Sequence, residues 1–276
     1  MKIDELRAKP HWSYSALNTY LNVCQLQYFF RYIEEAEVEQ VSASLLFGKA
    51  FHAALSQQAD VAGNGSNLSV ENLGDMFDEY FTASVKATDN VKYKPCEDSD
   101  TMSDLARRMF KPVLDNWNDF CNVRSIAEGF EVTVPGLDKP LVGEFDLVVN
   151  DGREPCIVDW KTSSSRWPSG KADRDLQATA FSYAYHRMHG EIPLFRFDVV
   201  TKAKMPTCEA YYTTRDQAAF ERFEVLANKT QDAIMKGVFL PNETSFACAD
   251  CPYSKRCRNF YSPSTKCLNH SGRESA

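Results

Sequence analysis

The chain has 276 residues, of which 43% are hydrophobic and 12% aromatic, and it carries a net charge of −7. This composition is typical of a folded globular protein and excludes a disordered chain. No apolar run approaches the roughly 18 residues of a membrane span, and residues 1–12 lack the apolar core of a secretory signal, so we expect a cytoplasmic protein without membrane contact.

Helices dominate the prediction for the first part of the chain. Ser13 or Ser15 can cap a first helix. Its apolar residues recur at helical spacing and place Cys24 on an apolar face: Leu17, Leu21, Cys24 and Tyr28. The acidic residues 34–39 end this helix. Similar spacing predicts a second helix over about 45–58 and two further helices before residue 121.

The hydrophobic period changes to that of β-strands after residue 125. Stretches rich in Val, Ile and Phe, separated by Pro-Gly and Asp-Gly turns, predict antiparallel strands at 126–134, 140–149 and 154–161. A helix at 173–189, strands at 194–201 and 208–213, and a helix ending near residue 236 follow. This order predicts an α/β or α+β protein, packed as one compact unit of three parts: a helical region over 1–125, a core over 126–236 and a cysteine-bearing tail over 237–276.

Two of the predicted strands carry charged residues at positions where burying a charge costs free energy. Glu144 and Asp146 are two residues apart in one strand, and Asp159 and Lys161 are two apart in the next, so each pair faces one side of the sheet. Asp146 and Asp159 could together hold a hard divalent cation, with Lys161 orienting a water and stabilising charge on a phosphate oxygen. A buried ion pair between Asp159 and Lys161 explains the same residues equally well.

The chain has nine cysteines, an odd number that argues against a disulfide framework. Cys248, Cys251 and Cys257 are spaced so that three thiolates can converge on one metal centre. The spacing leaves the fourth ligand open between Cys24 on the first helix and Cys267 in the tail. From the spacing alone, a four-cysteine zinc site is favoured.

A basic track with interspersed aromatic residues follows the second charged strand. The acidic excess argues against general attraction to nucleic acid, yet residues 151–276 carry 18 Lys and Arg against 15 Asp and Glu. The candidates for contact with DNA are Arg166, Lys171, Arg174 and Lys202, with Trp160, Trp167 and Tyr253 available for stacking on bases. A solvated charged surface is the alternative. No P-loop motif occurs, so no ATP-driven motor is predicted in this chain.

Taken in order, these pieces resemble the PD-(D/E)XK nucleases, and more specifically the RecB nuclease family with its iron–sulfur-bearing members. The matching segments are Ser13–Tyr20 with Cys24, the Gly-x-x-x-His element Gly48–His52, Asp146, Asp159–Lys161, Gln177 and the cluster Cys248, Cys251 and Cys257. One departure is visible: this chain has Phe181 where the family has a Tyr four residues after the Gln.

The resemblance implies a restriction-endonuclease-like fold, in which a central mixed sheet is flanked by helices. It implies that the ligands of Mg²⁺ or Mn²⁺ are His52, Asp146, Asp159 and the main-chain carbonyl of Trp160. It implies that the catalytic residues are Lys161, Asp159, Asp146 and Gln177. It also implies Cys24 as the fourth ligand of a 4Fe-4S cluster, with zinc as the alternative metal.

The activity implied by the resemblance is hydrolysis of DNA phosphodiester bonds with a divalent metal, by in-line attack of water and with a 5′-phosphate product. The expected substrate is single-stranded DNA or a duplex with a free end, cut mainly as an exonuclease. Repair, recombination, phage replication and CRISPR adaptation are compatible settings in a bacterial, archaeal or phage-infected cell, with a helicase or a recombination or adaptation protein as partner. The alternative is a metal-stabilised nucleic-acid-binding adaptor with weak catalysis, against which the intact Asp146, Asp159 and Lys161 argue.

Overall fold

The computed structural model describes residues 3–63, 65–116, 122–152, 154–245 and 247–260. Its N-terminal part contains the helices α1 (Ile3–Arg7), α2 (Tyr14–Asn18), α3 (Gln25–Tyr28), α4 (Ala43–Gly63), α5 (Val70–Lys86) and α6 (Ser99–Asn116). Two short strands, β1 (Val41–Ser42) and β2 (Val91–Lys92), pair in parallel. Within the described residues, no helix has both the length and the apolar character needed to cross a membrane.

A five-stranded mixed sheet follows. Its strands are β3 (Val123–Val132), β4 (Leu141–Asp151), β5 (Glu154–Ser163), β6 (Leu194–Thr201) and β7 (Cys208–Thr213), in the order β3-β4-β5-β6-β7. Only β5 and β6 are parallel, because the helical connection between them returns the chain to the same end of the sheet. The predicted hairpins of β3, β4 and β5 are confirmed, as is the mixed sheet flanked by helices.

The remaining helices are α7 (Lys171–Arg174), α8 (Leu176–His189), α9 (Gln217–Met235) and α10 (Ser254–Phe260). The single helix predicted over 173–189 is thus divided in two at Asp175, whose extended backbone ends α7 and caps α8. The helix predicted over 45–58 is present and longer at both ends. The three-part division of the chain stays a prediction.

The predicted first helix is interrupted at Cys24, and the continuous helix expected from the apolar spacing is therefore wrong. Ser13 caps the start, since its hydroxyl accepts the N–H of Ala16. The chain then forms wider π-helical turns at Thr19–Val23 and Phe29–Ile33. Between them Cys24 is extended, with φ −168° and ψ 124°.

The break at Cys24 is where the C-terminal tail docks. Just beyond it, Leu26 N–H donates to Leu240 O at 3.1 Å, and Leu240 N–H donates to Gln25 Oε1 at 3.1 Å. The Tyr20 hydroxyl donates to Val238 O at 2.7 Å. A periodicity of three to four residues cannot predict such partners from the far end of the chain, which is the physical reason for the failed prediction.

The sheet separates two hydrophobic cores. On β5, Ile157 faces a core that contains residues of α8 and α9, whereas Val158 and Trp160 face a core built with α4, α5 and α6. A third, smaller cluster joins Leu26 and Phe30 to the tail. Because side chains alternate along a strand, Asp159 and Lys161 lie on the same side as Ile157, facing α8.

We expect Gly143→Ala to destabilise the protein by about 1–3 kcal/mol, through overpacking. A β-carbon at Gly143 would lie 2.4 Å from Cζ of Phe130. Phe130 is 1% exposed and stacks on Phe145 with ring centroids 4.7 Å apart, so its ring has little room to retreat. The free energy of unfolding in urea measures the effect. In the control Gly63→Ala nothing lies within 4 Å of the new atom, and we expect no loss; equal stabilities of the two variants would contradict the packing argument.

Candidate active site and cysteine cavity

Three polar side chains meet where β5 faces α8. Lys161 Nζ lies 2.5 Å from Asp159 Oδ2 and donates to Gln177 Oε1 at 2.9 Å. The amide of Gln177 in turn donates to Asp159 Oδ1. Asp159 is 2% exposed and Gln177 7%. A carboxylate, an ammonium group and an amide therefore form one closed hydrogen-bonded triad, which brings together three of the residues predicted to be catalytic.

The start of α8 presents Gln177 to the strand. Asp175 is the N-cap of α8, and its side chain accepts the N–H of Gln177 at 2.8 Å. Such a cap satisfies a backbone donor that the first helical turn leaves without an intrahelical partner. The side chain of Gln177 thus projects from the first turn of a capped helix.

Asp146 lies beside this triad because β4 and β5 stop pairing there. Their register ends at Leu147 opposite Val158. At the next residue the Asp146 carboxylate, rather than a backbone carbonyl, accepts the N–H of Trp160 at 3.0 Å. The same oxygen lies 3.2 Å from Nδ1 of His52, which α4 contributes. The four predicted positions 52, 146, 159 and 161 are therefore neighbours in space.

The acids of this site differ in their affinity for protons. Burial raises the pKa of Asp159 to about 6, against the opposing charge of Lys161 and with the added charge of Asp146. Burial alone would also raise the pKa of Asp146, but His52, Lys161 and the Trp160 N–H outweigh it, so this pKa is lowered. The pKa of Lys161 is raised, because the charges of Asp159 and Asp146 exceed the effect of its burial. Lys161 is therefore protonated at neutral pH.

The four cysteines predicted to share a cluster line one cavity. Cys24, Cys248, Cys251 and Cys257 border a space of about 290 Å³ between the break in the first helix and the tail. Burial raises the pKa of Cys251, and the other three thiols add to this through their charges. The N–H of Asn242 points to Cys24 Sγ at 3.3 Å. Cys267, the other candidate for the fourth ligand, lies outside the described residues.

Sequence similarity identifies the superfamily to which the chain belongs. Residues 11–258 match the PD-(D/E)XK nuclease superfamily, so the match contains the triad, Asp146, His52 and all four cysteines of the cavity. The chain belongs to the PD-(D/E)XK nuclease superfamily. No curated protein shows significant sequence similarity to it.

Solved structures support this fold. A protein of Eubacterium rectale named "Putative exonuclease" is similar with a TM-score of 0.55 at 9% identity, over 99% of this chain and 93% of that chain. At this identity the likeness shows the fold alone. The structure of SSO0001 gives a TM-score of 0.36 at 14% identity, over 91% of this chain and 95% of that chain, and carries no argument.

The PD-(D/E)XK site offers donors for a divalent metal. PD-(D/E)XK nucleases typically use divalent metals such as Mg²⁺; the two carboxylates suit such a hard ion, and the imidazole of His52 is a donor that later transition metals favour. In the described residues, however, no three His, Cys, Asp or Glu side chains are arranged to hold a metal ion as placed. His52 contacts Asp146 and Lys161 contacts Asp159 instead. The donor types fit a divalent cation.

A polar groove of about 280 Å³ opens beside this site, and its N-terminal wall was missed by the sequence analysis. Tyr14 and Asn18 of α2 and Asn22 line one wall, and Lys171 and Arg174 line the other. The sequence assigned these three residues no role in binding, although Tyr14 and Asn18 lie in the Ser13–Tyr20 segment that carries the resemblance; their spacing of four residues is a second signal that they share one face. Asp175 and Leu176 also line the groove and directly precede Gln177, so the groove adjoins the triad.

The other two predicted DNA-binding residues are placed differently. Arg166 Nε lies 2.8 Å from Glu209 Oε1, so its charge is already paired. Lys202 follows β6, where its N–H donates to Ser163 O at 2.7 Å and its Nζ lies 4.3 Å from the centre of the Phe47 ring. Burial lowers the pKa of Lys202 to about 8, with the charge of Lys94 acting in the same direction.

Neither tyrosine of α8 replaces the family's Tyr at the position of Phe181. The Tyr183 hydroxyl donates to Glu224 at 2.8 Å, and the Tyr185 hydroxyl accepts from Arg124 at 2.9 Å. Phe181 packs in the core, edge-on to Tyr14 with ring centroids 6.1 Å apart. Tyr14 of α2, by contrast, lines the groove beside the site.

Proposed function

We propose that this PD-(D/E)XK protein is a divalent-metal-dependent deoxyribonuclease, which acts mainly as an exonuclease on single-stranded DNA or DNA ends. The observation that carries the proposal is the triad of Asp159, Lys161 and Gln177 beside Asp146 and His52. A structural ion pair alone explains the contact of Asp159 with Lys161. It does not explain a second carboxylate and an imidazole held next to that pair.

Each residue has a distinct role in the proposed hydrolysis. Mg²⁺ or Mn²⁺ would be held by Asp146, Asp159, His52 and the Trp160 carbonyl, and would supply positive charge at the phosphate and a lowered pKa for water. Lys161, protonated and held by Gln177 at 2.9 Å, donates a hydrogen bond to the attacking water or to a phosphate oxygen. The water oxygen bonds to phosphorus while the bond between phosphorus and the 3′-oxygen breaks. One proton of the attacking water passes to the 3′-oxygen.

The groove beside the triad supports a nucleic-acid strand as the substrate. Lys171 and Arg174 offer positive charge for phosphates, and the Tyr14 phenol and the Asn18 and Asn22 amides offer neutral donors and acceptors. Lys171 Nζ lies 3.9 Å from the centre of the Trp167 ring, which fixes the position of its charge. The groove places these groups next to the residues that would cut the strand.

Reversing the charge of both groove cations, in Lys171→Glu/Arg174→Glu, is expected to weaken DNA binding about ten-fold or more and to reduce the salt slope by about one to two. The physical reason is the loss of phosphate contacts, each of which releases a counterion. Binding of a labelled single strand at several salt concentrations, without metal, measures both quantities. The exposed pair Lys111→Glu/Lys229→Glu is the charge-matched control. If both double variants bind DNA equally well, the DNA-binding surface lies elsewhere.

We also propose that Cys24, Cys248, Cys251 and Cys257 hold a 4Fe-4S cluster. A single zinc ion needs four sulfurs about 2.3 Å from one point. The four thiols here line one cavity of about 290 Å³ together with other residues, and among the described residues no three of them are placed around a single ion. The Asn242 N–H at 3.3 Å from Cys24 Sγ is a donor of the kind that stabilises cluster thiolates.

The test of the proposed activity is digestion of end-labelled single-stranded and double-stranded DNA with Mg²⁺ or Mn²⁺, with EDTA as control. Early release of label from one end would establish exonuclease action and its polarity. Binding of DNA without cleavage under every metal condition would instead support the adaptor. We propose a helicase as the class of partner, which would supply single strands to the site; the 276 residues themselves carry no P-loop.

A further inference from the structure

Arg215 is a buried arginine whose hydrogen-bond acceptors, among the described residues, are all neutral. It is 8% exposed. Its Nε donates to the Thr179 hydroxyl at 2.7 Å, and its Nη1 donates to the Thr213 hydroxyl at 2.6 Å and to Thr214 O at 2.7 Å. Its Nη2 donates to Ala172 O at 3.0 Å and to Asp175 O at 3.1 Å.

Burial lowers the pKa of Arg215, and the charges of Asp173, Asp175 and Asp216 offset this only in part, so charge pairing does not by itself explain the arrangement. The guanidinium group has five N–H donors in a fixed plane, and five contacts are made here. A lysine could keep the charge but could not reproduce that fork. The geometry of the contacts, more than the charge, is therefore what distinguishes this position.

The acceptors lie on both sides of the turn that leads into the active site. Ala172 belongs to α7, Asp175 is the N-cap of α8, and Thr179 is in the first turns of α8. Gln177 sits between the last two, with its own N–H bonded to the Asp175 carboxylate at 2.8 Å. Arg215 thus joins three points of one short segment, and that segment carries the amide of the triad.

The opposite side of the guanidinium group is anchored to the sheet. Thr213 ends β7, and its hydroxyl both accepts from Arg215 and donates to Asp173 Oδ1 at 2.8 Å. The turn between α7 and α8 is therefore tied to the edge strand through Arg215 and through Asp173. These ties leave the start of α8 little freedom to shift relative to β5.

We propose that Arg215 is a positioning residue, which fixes the turn between α7 and α8 and so holds Gln177 against Asp159 and Lys161. The inference rests on the proposed nuclease function. Arg215 itself touches none of the three triad residues, so it would act on the reaction only through Gln177. Loss of its contacts should let the amide drift from the Lys161 ammonium group. Because Lys171 and Arg174 belong to α7, the proposed DNA groove is tied to the same turn.

A double-mutant cycle in the full-length protein tests this coupling. We expect Arg215→Lys to lower kcat for a single-stranded DNA by about 10–100-fold, as for residues that orient a ligand or catalytic group. Combined with Gln177→Ala, it should cause no loss beyond that of Gln177→Ala alone. Losses that multiply in the double variant would show a general structural role and overturn the proposal. Arg222→Lys is the matched control. Arg222 is exposed, and it lines the same surface cavity as Arg215, which has a volume of about 490 Å³.

Two further measurements keep the outcome clear. If Arg215→Lys does not fold, Thr179→Val removes one contact of Arg215 with little change in shape, and the same cycle with Gln177→Ala applies. If the wild-type protein cleaves no DNA, the proposed function fails, and the side-chain amide signals of ¹⁵N-labelled Gln177 decide the inference alone. These signals should shift in Arg215→Lys and stay unchanged in Arg222→Lys. Unchanged signals in both variants would overturn the positioning role.

Discussion

Replacing Asp159 by alanine is expected to lower DNA cleavage by at least about 10³-fold while leaving DNA binding in place. Asp159 Oδ2 is 2.5 Å from Lys161 Nζ, and its other oxygen accepts from Gln177, so the substitution removes the acceptor common to both. It would also remove one of the proposed ligands of the divalent cation. Cleavage of end-labelled DNA in Mg²⁺ or Mn²⁺, beside binding without metal, separates the two effects.

The controls for this prediction lie on the same hairpin. Asp151→Asn changes an exposed carboxylate at the end of β4 and should cleave like wild type. Asp159→Asn keeps the size of the buried side chain and should be as inactive as Asp159→Ala, because a neutral amide is a poor ligand and leaves the Lys161 ammonium group without its counter-charge. Lys161→Ala should also be inactive, yet it should bind Mn²⁺ like wild type, since Lys161 is not a ligand. Wild-type rates in purified, folded Asp159→Ala would disprove the assignment.

Cys24→Ser is expected to abolish the brown colour of anaerobically purified protein and to lower its melting temperature by roughly 10 °C or more. A cluster bound by Cys24 and by Cys248, Cys251 and Cys257 would close a loop of most of the chain, so its binding energy would become folding energy. Without it, the tail is held only by contacts such as Leu26 N–H to Leu240 O at 3.1 Å and the ion pair of Arg256 with Glu34. Visible absorbance, bound iron and thermal unfolding measure the effect.

Cysteines outside the cavity provide the controls. Cys96→Ser and Cys208→Ser change an exposed and a half-buried thiol, and both variants should keep their iron and colour. Cys257→Ser should behave like Cys24→Ser. The decisive comparison is with Cys267→Ser, which should stay brown. A bleached Cys267→Ser beside a brown Cys24→Ser would place the metal within the tail. A colourless wild-type protein with bound zinc would show that the site holds zinc and not an iron–sulfur cluster.

The local architecture was predictable from the sequence because it depends on short-range geometry. Apolar runs rich in Val, Ile and Phe, separated by an Asp-Gly turn, marked β4 and β5 within a few residues of their observed ends, and the placement of Asp159 and Lys161 on one face followed from the two-residue period of a strand. Ser13 was predictable as a cap, since capping involves residues only three positions apart. The motif order also indicated the superfamily, to which residues 11–258 belong.

Only the tertiary structure decided where the chain departs from local preference. Helical spacing runs through Cys24 without a sign of the break, which depends on the tail at Leu240. The groove wall at Tyr14, Asn18 and Asn22 became visible only when α2 came to lie opposite Lys171 and Arg174. Likewise, Arg215 has no motif of its own. Its role depends on acceptors at residues 172 to 214, which folding collects around one guanidinium group.

One physical cause separates the features that the sequence predicted from those that it did not. A side chain's direction relative to its own strand or helix is set by backbone geometry over two to four residues, and the sequence determines that much by itself. Which distant elements meet, and at what distance, depends on how two cores pack against the sheet and on where its strands stop pairing. The sequence alone therefore determined the identity of the chemical groups at the site. Packing decided that Asp146 replaces a backbone acceptor at Trp160, and that the start of α8 holds Gln177 against the strand.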